Sequence, residues 1–301
     1  MINFDINNVE VVEFGVGRDD GGQTFVIVPV DRDVQRALLD MLQVTLDAMQ
    51  ADEDEPTMYE PGDKHSSQKY LYLPISHELA AVFRELYQAN QLETDVGGLA
   101  DHSQMFCYFA RFIDGDGRRL VALRRAAHFK GILKSRNRVV RLVDDTLKIV
   151  PDDLFKLDQD FDLLLDEHTV HILRPKGFEF IGQTKQAVLA AVPQNIRILK
   201  RRLPFINFDR IEEYAQAHSR AARYLASIKE RGDLEQIDRE LLRNFCEWTN
   251  VSVREENGEL QIDEGSELAF LMVLDRRRYA IELIRGNQEQ YQASNRKKID
   301  S

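Results

Sequence analysis

The chain has 301 residues, of which 43% are apolar and 30% are charged, and its formal net charge is −11. This apolar fraction is sufficient for a hydrophobic core and excludes an intrinsically disordered chain. No stretch approaches the ~18 consecutive apolar residues of a membrane-spanning helix, which argues against direct insertion into a bilayer.

The N-terminal hundred residues are predicted to contain two strands followed by two helices. Residues 9–17 and 25–30 have strand-like patterns, and the Asp- and Gly-rich segment between them is typical of a hairpin turn. Asp31 can cap the helix that follows, where apolar residues recur at helical spacing. Residues 52–67 are acidic and polar with two prolines, and they predict a mobile loop. A second helix is predicted near residues 76–90.

The middle of the chain is predicted to be β structure. Met105–Ile113 and Leu120–Ala126 have strand-like patterns, and Asp114-Gly115-Asp116-Gly117 between them is a strong hairpin signal. Further strands are predicted at residues 139–143, 147–150, 155–157 and 169–173. Residues 1–175 are therefore expected to form a mainly β domain with two or three helices.

The C-terminal part is predicted to be rich in helices. The expected helices cover residues 178–191, 195–203, 208–228 and 234–249. A small β unit is expected over 251–262, apolar strands over 268–274 and 279–283, and a polar helix over 287–299. The sequence thus predicts an α+β fold, with a second domain over residues 176–301.

The charge is distributed unevenly along the chain. Residues 1–101 carry a net charge of −14, residues 102–143 carry +8 and residues 144–301 carry −5. From Gly117 to Val143 there are nine Lys or Arg residues and no Asp or Glu. The nine are Arg118, Arg119, Arg124, Arg125, Lys130, Lys134, Arg136, Arg138 and Arg141.

This basic stretch has the chemistry that a phosphate backbone requires, with guanidinium and ammonium groups at intervals and no nearby carboxylate in sequence. The alternative is that these residues pair with acidic residues of the same chain or of a second subunit. A second candidate cluster is Arg197, Lys200, Arg201 and Arg202, which could instead offset the C-terminal dipole of a helix. The run Arg276–Arg278 is interpreted as a turn with solvated charges.

No motif of an established catalytic site is present, and no catalytic residue, metal or cofactor is expected. The chain lacks a P-loop, a dinucleotide-binding glycine motif, a zinc-protease motif and a nucleophile elbow. His168 and His171 are spaced like metal ligands, but in a strand their side chains would point to opposite faces. A metal-dependent nuclease using carboxylates between Asp158 and Asp166, together with Glu179, stays open. The Lys expected two residues after Glu179 is replaced by Ile181.

A pattern of apolar and acidic residues between positions 154 and 181 resembles a known family. The pattern consists of Leu154-Phe155-Lys156-Leu157, Asp160-Phe161-Asp162, Val170-His171-Ile172-Leu173 and Gly177-Phe178-Glu179-Phe180-Ile181. It is similar to the family that includes the B subunit of the Kiwa anti-phage defence system, as are Leu274-Asp275, Tyr279-Ala280 and the residues that follow. Phe161 and Phe178 are expected in the core, and Asp162 and Glu179 are expected to cap helices or to pair with basic residues.

The resemblance implies a cytoplasmic, dimeric effector that binds DNA and blocks phage replication and transcription. It also implies a small transmembrane partner, the Kiwa A subunit (KwaA), through which the chain would reach the inner membrane. The expected function is therefore to hold duplex DNA with little sequence preference. The alternatives are the nuclease and a scaffold that docks on a membrane protein without contacting DNA, through its acidic N-terminal third or through residues 52–67.

Overall fold

The computed structural model of the chain describes residues 2–19, 21–51, 55–65, 70–94, 105–126, 140–143, 146–149 and 156–295, with the backbone alone for 140–143 and 146–149. The fold is α+β, as predicted. The chain forms two compact units, one from residues 1–58 and 66–182 and the other from residues 59–65 and 183–301. None of the described helices has the length and apolarity needed to cross a membrane.

An eight-stranded sheet organises the first unit. The strands in chain order are β1 (Val9–Asp19), β2 (Gln23–Val28), β3 (Thr57–Met58), β4 (Leu71–Pro74), β5 (Met105–Asp114), β6 (Arg119–Arg125), β7 (Val140–Val143), β8 (Thr146–Ile149), β9 (Leu163–Leu165) and β10 (Thr169–Ile172). The order within the sheet is β2-β1-β5-β6-β9-β10-β4-β3, and β7 pairs separately with β8. The predicted hairpins β1–β2 and β5–β6 are confirmed.

Helices cover this sheet because its central strand is apolar on both faces. Tyr108, Ala110 and Phe112 of β5 join one core cluster with Leu38 and Leu42 of α1 (Arg32–Ala51). The predicted cap of α1 is confirmed, since Asp31 accepts a hydrogen bond from the Val34 amide at 2.9 Å.

Two shorter helices complete the first unit and meet through aromatic rings. They are α2 (Ala81–Gln88), which follows a 3-10 turn over Glu78–Ala80, and α3 (Pro175–Ile181). Phe83 stacks on Phe178 with ring centroids 5.3 Å apart. Phe161 and Phe178 are fully buried, which confirms their predicted place in the core.

The second unit consists of helices and two hairpins. Its helices are α4 (Thr184–Ala190), α5 (Val192–Arg202), α6 (Asp209–Ala217), α7 (Ser219–Lys229), α8 (Arg239–Trp248) and α9 (Glu267–Leu274). Its hairpins pair β11 (Val253–Glu256) with β12 (Glu259–Ile262) and β13 (Arg278–Ile284) with β14 (Asn287–Gln292). Helix α7 lies at the centre of the unit, with seven buried residues along its length.

Two predicted elements of this unit were wrong. The strand predicted over 268–274 is helix α9, whose residues from Phe270 to Leu274 are all buried. A short, continuously apolar run has no periodicity that separates a strand from a buried helix, so the pattern could not decide. The helix predicted over 287–299 begins instead as β14, because Asn287–Gln292 pairs with β13. Residues 296–299 lie outside the described residues.

The solvated turn predicted at Arg276–Arg278 was also wrong for its central residue. Arg277 is fully buried and pairs with Asp275 and Asp63. Asp63 belongs to the segment predicted to be a mobile loop, and Tyr59 in that segment is only 1% exposed. Residues 59–65 are therefore a packed part of the second unit rather than a solvated loop.

Candidate nucleic-acid interface

The first residue of the basic stretch, Arg118, is bound within the β5–β6 turn. Its guanidinium pairs with Asp114, with Nε 2.9 Å from Oδ2, and with Asp116. It also donates to Oδ1 of Asn3 at 2.9 Å. Asp114 is almost fully buried and accepts the amides of the turn as well. Arg118 therefore compensates a buried carboxylate, and its positive charge is largely neutralised by groups of the same chain.

Arg119 is bound by main-chain carbonyls at the end of helix α2. Its Nη1 donates to the Tyr87 carbonyl at 2.7 Å, and its guanidinium lies 5.9 Å from the centre of the Tyr87 ring. Arg111 donates to the neighbouring Ala89 carbonyl at 2.8 Å. The last carbonyls of a helix carry its partial negative charge, so both guanidinium groups stabilise this helix end.

Arg124 is held by three carboxylates of the segment that precedes β9. The nitrogen–oxygen distances are 3.2 Å to Asp158, 3.1 Å to Asp160 and 2.8 Å to Asp162. Arg174 binds two of the same carboxylates, Asp160 and Asp162. Arg124 is only 18% exposed and faces three negative charges, so it is a structural cation rather than a free one.

Asp162 is the buried centre of this cluster, and it pairs with Arg124 and Arg174, which is one of the two roles expected for it from the sequence. Burial raises its pKa to about 6, although Arg124 and the Arg125 amide both act to lower it. Gly177 of α3 lies directly against it, since a Cβ added there would stand 2.6 Å from Oδ2 of Asp162. The close approach of Asp162 to Gly177 therefore fixes where α3 begins on the sheet.

These contacts weigh against the nuclease alternative. Asp158, Asp160 and Asp162 already serve as acceptors for two guanidinium groups, which would compete with a cation. Among the described residues, no group of three or more His, Cys, Asp or Glu side chains is arranged to hold a metal ion. His171 is buried between Asp166 and Tyr70, whereas His168 is exposed at the adjacent turn.

Arg125 differs from the three arginines before it. Its guanidinium lies 4.0 Å from the centre of the Phe180 ring, a cation–π contact. Within the part of the chain that the structure describes, its Nε has no hydrogen-bond partner and its guanidinium forms no ion pair. Lys176 is exposed one turn before Phe180 on the same face of α3. We call Arg125, Lys176 and Phe180 the Arg125 patch.

The sequence nominated Arg125 but missed Phe180 and Lys176. Phe180 is 40% exposed. The available signal was the i, i+4 spacing of a Lys and an aromatic residue on one short helix. A hydrophobic pattern alone does not tell whether such an aromatic residue is exposed or lies in the core. The patch lies where the chain leaves β6 and enters the remainder of the basic stretch.

The remaining residues of the basic stretch cannot be placed. Lys130, Lys134, Arg136 and Arg138 lie outside the described residues. Arg141 lies on β7, where the structure describes only the backbone. For these five residues, the role assigned from the sequence stays a prediction.

The second cluster, on helix α5, divides into two pairs. Lys200 binds Asp209 at 2.7 Å, and Arg202 binds Glu235 at 3.3 Å. Arg197 and Arg201 are exposed and, among the described residues, form no ion pair. Since positions 197 and 201 are one helical turn apart, they present two cations on one face of α5.

A comparison with protein families finds one match that covers more than half of the chain. The family model described as Kiwa protein KwaB-like matches residues 103–283. The match begins just before β5 and ends within β13, so it includes the Arg125 patch and helix α5. No significant match was found among curated proteins or among solved structures.

Proposed function

Because the chain belongs to the Kiwa protein KwaB-like family, we propose that it acts in anti-phage defence by holding duplex DNA. The family carries the defence role and is not a known enzyme family. The chemistry of the basic stretch supports DNA as the ligand. Lys and Arg contacts to phosphates carry no sequence information, so the binding has little sequence preference. DNA that the protein holds in this way cannot be replicated or transcribed by the phage.

The observation that carries this proposal is the Arg125 patch. A guanidinium group that faces no carboxylate among the described residues, and that an aromatic ring orients, is well suited to a phosphate oxygen. The guanidinium groups of Arg118, Arg119 and Arg124 already bind carboxylates or carbonyls of the same chain. We therefore assign the DNA contacts to Arg125 and to the five basic residues from Lys130 to Arg141. Arg197 and Arg201 supply a further pair of cations.

The test is DNA binding by charge-reversed variants at several salt concentrations. The slope of log K against log salt is negative, and we expect Arg125→Glu to reduce its magnitude by about 0.9, the contribution of one phosphate contact. The triple change of Arg136, Arg138 and Arg141 to Glu should reduce the magnitude of this slope by roughly 2 to 3 and weaken binding to every duplex sequence. Fluorescence anisotropy with labelled duplex DNA measures both quantities.

A matched control separates local contacts from total charge. Arg36, Arg243 and Arg254 have side chains that are 72%, 47% and 69% exposed, and each pairs with a carboxylate on the surface. Changing these three to Glu alters the net charge equally and should leave most of the affinity intact. If the folded Arg136/Arg138/Arg141 variant bound DNA as tightly as the wild type, DNA binding by this stretch would be disproved.

We also propose that the chain works with the transmembrane subunit of the Kiwa system, KwaA. Cytoplasmic loops of membrane proteins are rich in Lys and Arg. The exposed face of α1 offers a complementary surface, since Asp33, Asp40 and Asp47 are exposed at seven-residue intervals and so lie along one side of the helix. Residues 52–67 suit this role less well, because Glu60 and Asp63 already pair with Arg277.

Co-purification from detergent-solubilised membranes tests this partnership. The change of Asp33, Asp40 and Asp47 to Asn should reduce recovery of KwaA severalfold, because three carboxylates facing basic loops are removed. The control changes Glu213, Glu247 and Glu256, which are exposed in the second unit, to Gln. Equal recovery with both variants would exclude α1 as the docking surface, and the absence of KwaA with the wild-type chain would exclude the partnership.

A further inference from the structure

Phe180 is exposed on a helix whose neighbouring apolar side chains already fill the core. In α3 the side chains of Phe178 and Ile181 are fully buried. Phe180 lies between them in sequence, yet it faces solvent and is 40% exposed. Single exposed apolar residues are ordinary on protein surfaces, so this exposure alone assigns no function. What distinguishes Phe180 is the pair of cations beside it, Arg125 and Lys176.

The guanidinium group of Arg125 covers one face of the Phe180 ring. Its central carbon lies 4.0 Å from the ring centroid, well within the range of a cation–π contact. Phe180 is 40% exposed despite this cover, so the part of the ring that the guanidinium leaves free is open to a planar ligand. Proteins that bind single-stranded nucleic acids combine such rings, on which bases stack, with cations that hold the backbone.

Both side chains of this contact are carried by fixed elements. The Arg125 amide donates to Oδ2 of Asp162 at 2.9 Å, and Arg125 pairs with Cys107 in the β5–β6 ladder. Helix α3 is held against the same carboxylate, because Gly177 lies directly beside Asp162. The ring and the guanidinium are therefore positioned before a ligand arrives, which lowers the entropic cost of binding.

The paired bases of a duplex cannot use the Phe180 ring. Within a duplex each base is stacked between its neighbours, and only the base edges are accessible in the grooves. A base must be unpaired and unstacked before its face can meet a side chain, and this costs least where the DNA is already single-stranded. Phosphate contacts of Arg125 and Lys176 thus account for duplex binding but leave the aromatic ring without a role.

We propose that the Arg125 patch binds an unpaired DNA base next to a duplex, as at a single-stranded tail or gap, with the base stacked on Phe180. This inference rests on the proposed DNA binding and extends it from phosphates to one base. Arg125 and Lys176 hold the phosphates on either side of this base, and the other cations assigned to DNA hold the adjoining duplex. Because every base has a face that can stack, the contact carries little sequence information.

Duplexes with two kinds of single-stranded tail test this proposal. One tail carries bases, and the other has the same phosphates but abasic sugars, so the charge is equal. Fluorescence anisotropy should show that the wild type binds the tail with bases about 5- to 100-fold more tightly, the contribution of one stacked base. Phe180→Leu keeps an apolar side chain without a ring and should remove this preference. Phe180→Tyr keeps the ring and should restore it.

Trp248→Leu is the matched control, because Trp248 is a 44% exposed aromatic residue of the second unit. This variant should keep the preference for the tail with bases. The fluorescent base 2-aminopurine, placed as the first unpaired base, reports stacking directly. Its emission should fall on binding to the wild type and fall less with Phe180→Leu.

Two results would overturn the base contact. They are equal affinity of the wild type for the two tails, and a preference that persists in Phe180→Leu. Equal affinity refutes the base contact alone and leaves duplex binding intact. A wild type that binds none of these DNAs refutes the proposed DNA binding as well, so the two failures are distinguishable.

Discussion

At the scale of single residues, the burial of Arg277 differs from what its local sequence predicts. It lies in a run of three arginines, yet it is fully buried. Its guanidinium pairs with Asp275 and Asp63 and donates to the Ser294 carbonyl at 2.7 Å. The Tyr224 ring lies 5.4 Å from it. These contacts connect three distant segments of the second unit, so Arg277 organises the unit instead of presenting a charge to solvent.

Arg277→Ala should therefore destabilise the protein strongly. Removing one partner of a buried ion pair leaves the carboxylates of Asp275 and Asp63 without compensation, which costs about 3–5 kcal/mol. Urea unfolding followed by circular dichroism measures the change in the free energy of unfolding. Arg276→Ala is the matched control, because the Arg276 side chain is 57% exposed and its pair with Asp233 should contribute less than ~1 kcal/mol. Similar losses for both variants would contradict the role assigned to Arg277.

The arginines of the basic stretch show the same effect of surroundings. Arg124 and Arg125 are adjacent in sequence, but one faces three carboxylates and the other lies over an exposed aromatic ring. Neighbouring residues of a strand point to opposite faces, so adjacent arginines meet different environments. The strand therefore separates a structural cation from a candidate phosphate contact.

At the scale of elements, the β9–β10 hairpin is held by one carboxylate. Asp166 accepts hydrogen bonds from the His168 and Thr169 amides at 2.8 Å and from His171, whose ring nitrogen also lies 2.8 Å away. Burial alone would raise the pKa of Asp166, but these hydrogen bonds outweigh burial and hold the pKa below its ordinary value. The hairpin is thus stabilised by the ionised form of Asp166.

The lowered pKa predicts how this hairpin responds to acid. A depressed pKa in the folded state adds stability above the unfolded value of about 3.9, and that stability is lost as the pH falls through the folded value. The difference in unfolding free energy between the wild type and Asp166→Asn should be full near pH 5, above the unfolded value, and should shrink as the pH falls through the lower, folded value. This whole pH interval lies below the ordinary imidazole pKa of about 6.5, so the histidines of the unfolded chain stay charged throughout it.

Glu167→Gln provides the control for this series. Its side chain is 79% exposed beside the same turn, so the variant should follow the wild-type profile of stability against pH. Parallel profiles for the wild type and Asp166→Asn across this interval would show that Asp166 does not contribute through its ionised form.

At the scale of the whole molecule, the total charge and its local distribution have opposite consequences. A net charge of −11 repels DNA, and residues 1–101 alone carry −14. The proposed DNA binding therefore requires a local positive surface, because fields at short range depend on nearby charges. Several described cations of the basic stretch are neutralised inside the first unit. The proposed DNA contacts are therefore limited to the Arg125 patch and residues 130–141, together with the exposed pair on α5.

The sequence by itself determined the α+β class and the local elements. The β1–β2 and β5–β6 hairpins and the capped helix α1 follow from turn residues and from side-chain periodicity, which are interactions between near neighbours. The core positions of Phe161 and Phe178 were expected from the resemblance to the family. The family resemblance was likewise carried by a local pattern of residues, and the match over residues 103–283 confirmed it.

Only the tertiary structure decided which charges are free. Arg124 meets Asp162 across 38 residues of sequence, and Arg277 meets Asp63 across 214 residues. Such pairs depend on how sheets and helices bring distant segments together, and a charge map along the chain does not contain that information. The structure also decided that residues 268–274 form a helix, because a uniformly apolar run is stable in whichever element the surrounding core accommodates.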